Sequence, residues 1–431
     1  MTPAARLSAA IELIAAIDSA TKRPADAVAN DYFRDRRFIG SGDRRAVSER
    51  VWTIMRSRRR LIWWLHHINL RPGPRLYVAA SLMLEGWALT GLKQSFSGGQ
   101  FAPSPLNGEE SSGLSKLEGR KLVHPAMPDD VAVECPEWLL ESLVARFGDD
   151  LRDEMAAMDS PATLDLRVNL LAGTREDAIA ALAREDIEAK PTPLSPWGLR
   201  VEGRRPVSTG AAFQSGLVEI QDEGSQLVAL LADARPEMRV VDWCAGAGGK
   251  TLALAMTMQN RGHIVACDVH DKRLEGAVKR LRRAGVHNVE RHLVEPGDKW
   301  AKRREGSFDR VLVDAPCTGT GTWRRNPDAR GRLKSTDLSE LVTKQHMILV
   351  TAAKLAKIGG RVIYATCSIL REENEAQIDR FVAENPGFRV LNLTEIWPGP
   401  APCPGPGPYL SLTPLRHNTD GFFTAVLERV A

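Results

Sequence analysis

Val241-Asp242-Trp243-Cys244-Ala245-Gly246-Ala247-Gly248-Gly249-Lys250-Thr251 decides the fold. A short apolar run enters a turn of small residues, and an apolar stretch at helical spacing follows it. Glycines in such a turn let backbone N–H groups approach a ligand, and the helix start adds partial positive charge. The last three residues match the end of a phosphate-binding P-loop, but that loop needs Gly six residues before its Lys. Here that position is Cys244, which sets the NTPase reading aside. Asp268 closes the next apolar run, 22 residues after Gly246. A carboxylate at that distance suits the two hydroxyls of a ribose, although it also suits a helix cap.

The same alternation continues on both sides. Strands are expected at Arg239–Trp243, His263–Asp268, Phe308–Asp314 and Arg361–Thr366, with helices at about 250–258, 271–284 and 338–357. This rhythm argues a parallel, doubly wound α/β sheet. Gly421 to Leu427 reads as a final edge hairpin strand. In such sheets ligands bind at the carboxyl ends of strands. Two further ends are reactive: Asp314-Ala315-Pro316-Cys317-Thr318-Gly319-Thr320-Gly321 and Tyr364-Ala365-Thr366-Cys367-Ser368. One cysteine past a strand is usually a small buried hydrophobe. Two at strand ends, one with a carboxylate three residues before it, point to thiol chemistry.

Towards the N-terminus the pattern changes. Residues 163–215 mix short strands with a helix near 175–184 and read as a small α+β module. From 91 to 127 the sequence is rich in Ser, Gly and Pro without a sustained period, which predicts a flexible linker. Before it, Leu7, Ile11, Ile14 and Ile17, then Val47, Val51, Ile54, Met55, Ile62 and Leu65, recur at helical spacing. The second stripe runs beside Arg56, Arg58, Arg59 and Arg60. Residues 1–75 hold 15 Lys and Arg against 7 Asp and Glu, although the whole chain has a net charge of only +4. A basic helical region on a near-neutral chain points to nucleic acid, or else to a solvated face.

A chain of 431 residues with 43% hydrophobic and 26% charged residues is globular and too long for one core. No apolar run reaches the ~18 residues of a membrane span. The six cysteines form no CxxC pair, so no metal is expected, and without a secretion signal they are expected as reduced thiols in the cytoplasm.

GLVEIQDEGSQLVA (216–229), DWCAGAGGKT (242–251), DAPCTGTG (314–321), ATCSILREENE (365–375) and DGFF (420–423) resemble the Sun family of S-adenosylmethionine-dependent RNA (cytosine-5) methyltransferases. GSGDRRAVSERVWTIMRSRRRLIWWL is similar to the NusB-like domain of its bacterial RsmB-type members. Two features depart from the family. Gly246-Ala247 stands where it has Ala-Pro, and no Asp follows the third strand until Asp298. The resemblance implies a Rossmann-like methyltransferase domain over 216–431. An all-α NusB-like domain (1–90), the linker (91–127) and an α+β RNA-binding module (128–215) precede it.

It also implies site residues. S-adenosylmethionine would lie against Cys244, Ala245, Gly246, Ala247, Gly248, Gly249, Lys250, Asp268, Arg273 and Asp314. Cys367 would attack cytosine C6, Cys317 would help release the adduct, and Asp314 would assist proton transfer. The partner would be RNA, with ribosomal RNA favoured and transfer RNA open. Two rivals stand beside this reading. A DNA cytosine-5 methyltransferase would use Pro316-Cys317 but need neither Cys367 nor a basic helical domain. A non-catalytic RNA-binding assembly factor would not need two cysteines and Asp314.

Overall fold

The Thr2 hydroxyl accepts the Ala5 amide and opens the first helix, α1 (Pro3–Ser19). α2 (Ala25–Asp35), α3 (Ser41–Arg56), α4 (Arg58–His67) and α5 (Pro74–Leu84) follow. The apolar stripes read from the sequence close on one another: Leu13, Ile14, Val47, Val51, Ile54 and Leu65 are fully buried in one core. The computed structural model describes residues 1–203 and 205–431. It divides into two compact units. The first is Met1–Ser160 with Trp323–Lys334; the second is Pro161–Thr322 with Ser335–Ala431. No helix among the described residues is long and apolar enough to cross a membrane.

Three expectations about the first unit fail. The 91–127 stretch is not a linker, because it carries α6 (Leu89–Ser95) and α7 (Gly108–Ser115). Asn107 and Glu110 form a capping box on α7, and Leu92, Phe96, Leu114 and Leu117 are buried in the helical core. Anchors this sparse leave no period, so only tertiary packing reveals them. The arginines of 56–60 are not a solvent-facing cationic face. Arg58 pairs bidentately with Asp18, Arg59 with Asp130, and Arg60 with Glu134 and Asp159. Arg56 donates to the Arg324 carbonyl at 3.0 Å. Their acidic partners at 130, 134 and 159 lie too far along the chain for a local charge count to register. Finally, the helices Leu140–Phe147 and Leu151–Met158 belong to this unit, so the α+β module does not begin at 128.

That module is an antiparallel sheet of order β2-β3-β1-β4, from β1 (Leu164–Val168), β2 (Ala189–Pro191), β3 (Gly198–Val201) and β4 (Val218–Ile220). Its helix, Arg175–Ala183, begins in a Thr174/Asp177 capping box. β4 lies beyond the expected boundary at 215, since a three-residue strand shows no alternation to read.

The larger sheet contains β5 (Arg239–Asp242), β6 (His263–Asp268), β7 (Val289–Leu293), β8 (Phe308–Asp314), β9 (Ala356–Thr366), β10 (Phe388–Val390), β11 (Tyr409–Leu412) and β12 (Phe422–Arg429). Its order is β10-β12-β9-β8-β5-β6-β7, with β11 also on β12. β5 to β9 are parallel. Successive residues serve opposite faces: Ile264, Leu312 and Ile363 enter one core, and Val265, Val311, Val313 and Val362 the other. Burial on both faces is what continuous apolar strands predict. β12 is not an edge strand. It lies antiparallel to β9 with β10 and β11 on its far side, because three-to-four-residue strands cover it. Strand order reverses at β5, which has β6 on one side and β8 on the other, and this opens a crevice at the carboxyl ends.

Candidate functional site

β5 delivers the small-residue turn to that crevice. The Ala245 amide donates to the Cys267 carbonyl at 2.9 Å, holding the turn beside the end of β6. Gly246 has φ +54° and nothing within 4 Å of where a Cβ would sit, so its backbone faces open space. Gly248 has φ +78°, and a Cβ there would lie 3.1 Å from the Ala277 methyl. Glycine at 248 therefore admits the helix Asp271–Arg283, while Gly249 starts the helix Gly249–Thr257.

Asp268 ties the crevice together. One oxygen accepts the Gly246 amide and the other the His270 amide, each at 2.8 Å. Arg273 lies exposed in the first turn of Asp271–Arg283. Ala247 is held from outside by Arg280, which donates to its carbonyl at 2.8 Å. Asp242, beneath the turn, accepts the Thr251 hydroxyl at 2.7 Å; its other oxygen has no partner among the described residues. Burial, chiefly, pushes Asp242 up to about 7. Burial and the carboxylates of Asp314, Asp242 and Asp268 push the Cys244 thiol well up, so it stays protonated and is no nucleophile.

The other two cysteines meet. Cys317 Sγ and Cys367 Sγ are 3.4 Å apart, at the ends of the adjacent strands β8 and β9. The contact with Cys367, then burial, raises the Cys317 thiol well above its ordinary value. Asp314 accepts the Lys250 ammonium at 2.6 Å. Burial alone would lower Lys250, but Asp314 beside it more than offsets this and holds it above its ordinary value. Lys250, expected at the cofactor, is thus paired with the carboxylate of the thiol loop.

Several residues that the sequence did not single out hold the two cysteine loops. Glu373, fully buried, accepts the Thr318 amide at 2.8 Å and the Thr318 hydroxyl at 2.5 Å. Gln345 donates to both Glu373, at 2.8 Å, and the Pro316 carbonyl, at 2.9 Å. Asn374 accepts the Thr366 hydroxyl and donates to the Ser368 carbonyl, bracketing Cys367. Thr320 bonds the Ser368 hydroxyl at 3.1 Å and the Ile369 amide at 3.0 Å. Gly421 donates to the Gly321 carbonyl at 2.8 Å, and the two backbones are so close that neither tolerates a Cβ. Glu373, Asn374 and Gly421 fall within the motifs quoted above. Gln345 lies mid-helix in Ser335–Ala353, where no local pattern marks it.

The family model described as "16S rRNA methyltransferase RsmB/F" matches residues 228–428, and an RsmF/B-like ferredoxin-like domain matches 135–208. A "Ribosomal RNA small subunit methyltransferase B" of Sodalis glossinidius is 31% identical over 90% of each chain. A "Probable ribosomal RNA small subunit methyltransferase B" of Synechocystis is 33% identical over 68% of this chain and 66% of its own, just under two thirds of that relative's length. Among solved structures, that of PH0851 has a TM-score of 0.78 at 27% identity and covers 100% of this chain and 99% of its own. A methyltransferase homolog from Pyrococcus horikoshii has a TM-score of 0.61 at 27% identity, covering 71% of this chain and 100% of its own. With its cysteine loops and glycine turn set on the sheet as described, and with relatives of this kind along its length, the chain belongs to the RsmB/F family of 16S rRNA methyltransferases.

Proposed function

We propose that the protein methylates C5 of a cytosine in RNA, with Cys367 forming a transient bond to C6. The observation that carries this is the pair of thiols 3.4 Å apart at the carboxyl edge that also bears the Asp314–Lys250 pair. Small-subunit ribosomal RNA is the favoured substrate, because the relatives bear that activity in their names. S-adenosylmethionine is the cofactor, and when bound it supplies an electrophilic methyl group. The turn fits it: Gly246 leaves room where a side chain would stand, and Asp268 presents a carboxylate beside it for the ribose.

Cytosine C5 is a weak nucleophile until a thiolate adds to C6 and makes the ring enamine-like. Either sulfur of the S–H···S contact can be the donor, so the contact alone does not rank the two thiols. The family resemblance is what assigns the attack to Cys367 and the release of the adduct to Cys317. The Asp314 carboxylate offers an acceptor for the exocyclic amine, and the Lys250 ammonium a donor for N3, so the pair stabilises charge moving into the ring. After methyl transfer the C5 proton passes to water, its electron pair re-forms the C5–C6 double bond, and the C6–S bond breaks with Cys367 leaving as thiolate. The Cys317 thiol, beside the sulfur that departs, is positioned to donate a hydrogen bond to it and so assist this step. The target base must first leave its stack; the helical unit and the α+β module would hold the flanking RNA, largely through phosphates.

Denaturing electrophoresis after incubation with RNA and S-adenosylmethionine tests the order. Cys317→Ala is expected to accumulate a covalent protein–RNA species, and Cys367→Ala none. The reverse pattern exchanges the roles. If site-resolved mapping finds no 5-methylcytosine lost from cells that lack the protein, the cytosine-5 reading fails.

A further inference from the structure

The four arginines of 56–60 are held by partners inside the first unit, which moves the question of phosphate contact to the cations that face solvent. These gather where α2 turns into α3. Asn30, Phe33, Arg34, Arg37 and Arg44 line a hollow of about 630 Å³. The nearby acids are largely engaged. Asp43 takes the Met1 amino group and Arg6, and Asp31 takes Arg23 and Arg34. The Arg44 Nε donates to the Ile39 carbonyl at 2.7 Å, which satisfies one N–H but leaves the charge uncompensated. Arg37 and Arg45 are exposed and form no ion pair with any described residue. Between the hollow's Arg37 and the fully buried Ile39 stands Phe38, 77% exposed. A flat apolar ring facing solvent offers a face on which another ring can stack.

Unpaired guanidinium groups beside an exposed aromatic ring make a recognisable combination. The cations suit phosphates, and the ring suits the face of an unpaired base. A base inside a duplex would not offer that face.

We propose that this hollow is a binding site for single-stranded RNA, with a phosphate taken by Arg37 and Arg44 and a base stacked on Phe38. The proposal rests on the RNA methyltransferase reading and gives the helical unit its part in it. Asn30 adds a side-chain amide that can both donate to and accept from a ribose or base edge.

The test uses the full chain with a small-subunit rRNA transcript and with an unstructured RNA oligonucleotide. Arg37→Gln and Phe38→Ala change exposed side chains, and thermal melting confirms that each variant folds. Arg37→Gln is expected to weaken binding several-fold and to reduce the slope of log affinity against log salt by about 0.7 to 0.9. Phe38→Ala is expected to weaken binding about tenfold with the slope unchanged. In methylation assays both should raise KM for RNA and leave kcat alone. Wild-type affinity and slope in both variants would overturn the proposal. So would vesicles containing phosphatidylserine binding at the hollow with RNA unable to displace them. If the wild type methylates no cytosine while the variants lose RNA affinity as described, the chemistry fails and the hollow stands. If methylation proceeds with unchanged KM in both variants, the hollow fails and the chemistry stands.

Discussion

Asp242 shows how one buried atom links the cofactor turn to stability. Its carboxyl titrates at about 7 in the folded chain, above the ~3.9 of an unfolded aspartate, mainly because burial penalises the charge. The folded chain therefore holds a proton that the unfolded chain has lost between about pH 4 and 7. Its contribution to stability is full below about pH 4 and is lost as pH rises through about 7. In Asp242→Asn the amide oxygen still accepts from Thr251 without the charge. The variant is expected to gain melting temperature relative to wild type at about pH 8 and less, or nothing, at about pH 5. A Tm difference that does not vary with pH would show that this carboxyl is not what titrates.

At the scale of elements, the two cysteine loops are aligned by a third segment that carries no reactive group. β12 lies antiparallel to β9, and the turn just before it brings Gly421 against Gly321. A Cβ on Gly421 would lie 2.7 Å from Gly321 Cα and 2.8 Å from Ile369 Cγ2. Gly421→Ala must push the Thr318–Gly321 loop, and Cys317 with it, away from Cys367. We expect kcat to fall by at least tenfold, which is about 1.4 kcal/mol of barrier, with KM for the cofactor little changed. Glu373→Gln tests the same bracing from the other side. It leaves a side chain of the same shape but removes the charge that takes the Thr318 amide and hydroxyl. Charge-assisted bonds are roughly twice as strong as neutral ones, so single-turnover rates should fall while cofactor binding, read by calorimetry, holds. Cofactor affinity falling in parallel would mean that the substitution spreads beyond the loop.

At the scale of the molecule, the arginine-rich stretch where α3 ends and α4 begins acts as internal scaffolding of the first unit. Arg60 is nearly buried between Glu134 and Asp159, and Asp159 also takes Arg330 at 2.5 Å. Removing one partner of a buried pair strands the other charge, at a cost of about 3–5 kcal/mol. Arg60→Met is expected to lower the melting temperature strongly while leaving the salt slope of RNA binding near wild type. A normal melting temperature with a flattened slope would return these arginines to the RNA.

Four of the five parallel strands, the glycine turn and both reactive strand ends were legible along the chain; β7 (Val289–Leu293), with its polar Glu290, Arg291 and His292, was not. Their signals are local: continuous apolar runs, and small or polar residues where the runs stop. What packing alone decided is of another kind. The 3.4 Å approach of Cys317 to Cys367 depends on β8 and β9 being neighbours, 50 residues apart in the chain. Glu373 and Gln345 became braces only when one buried carboxylate met an amide from a distant helix. The same holds for the helices of 91–127, whose few apolar anchors find their partners in α1 to α5. It holds also for Arg58 to Arg60, which read as part of a cationic face until acids up to 99 positions away paired with them. Side-chain type and spacing determine which surface is apolar and which groups can react. Which charges cancel and which thiols touch is set by contacts between residues remote in sequence, and these exist only once the chain has closed on itself.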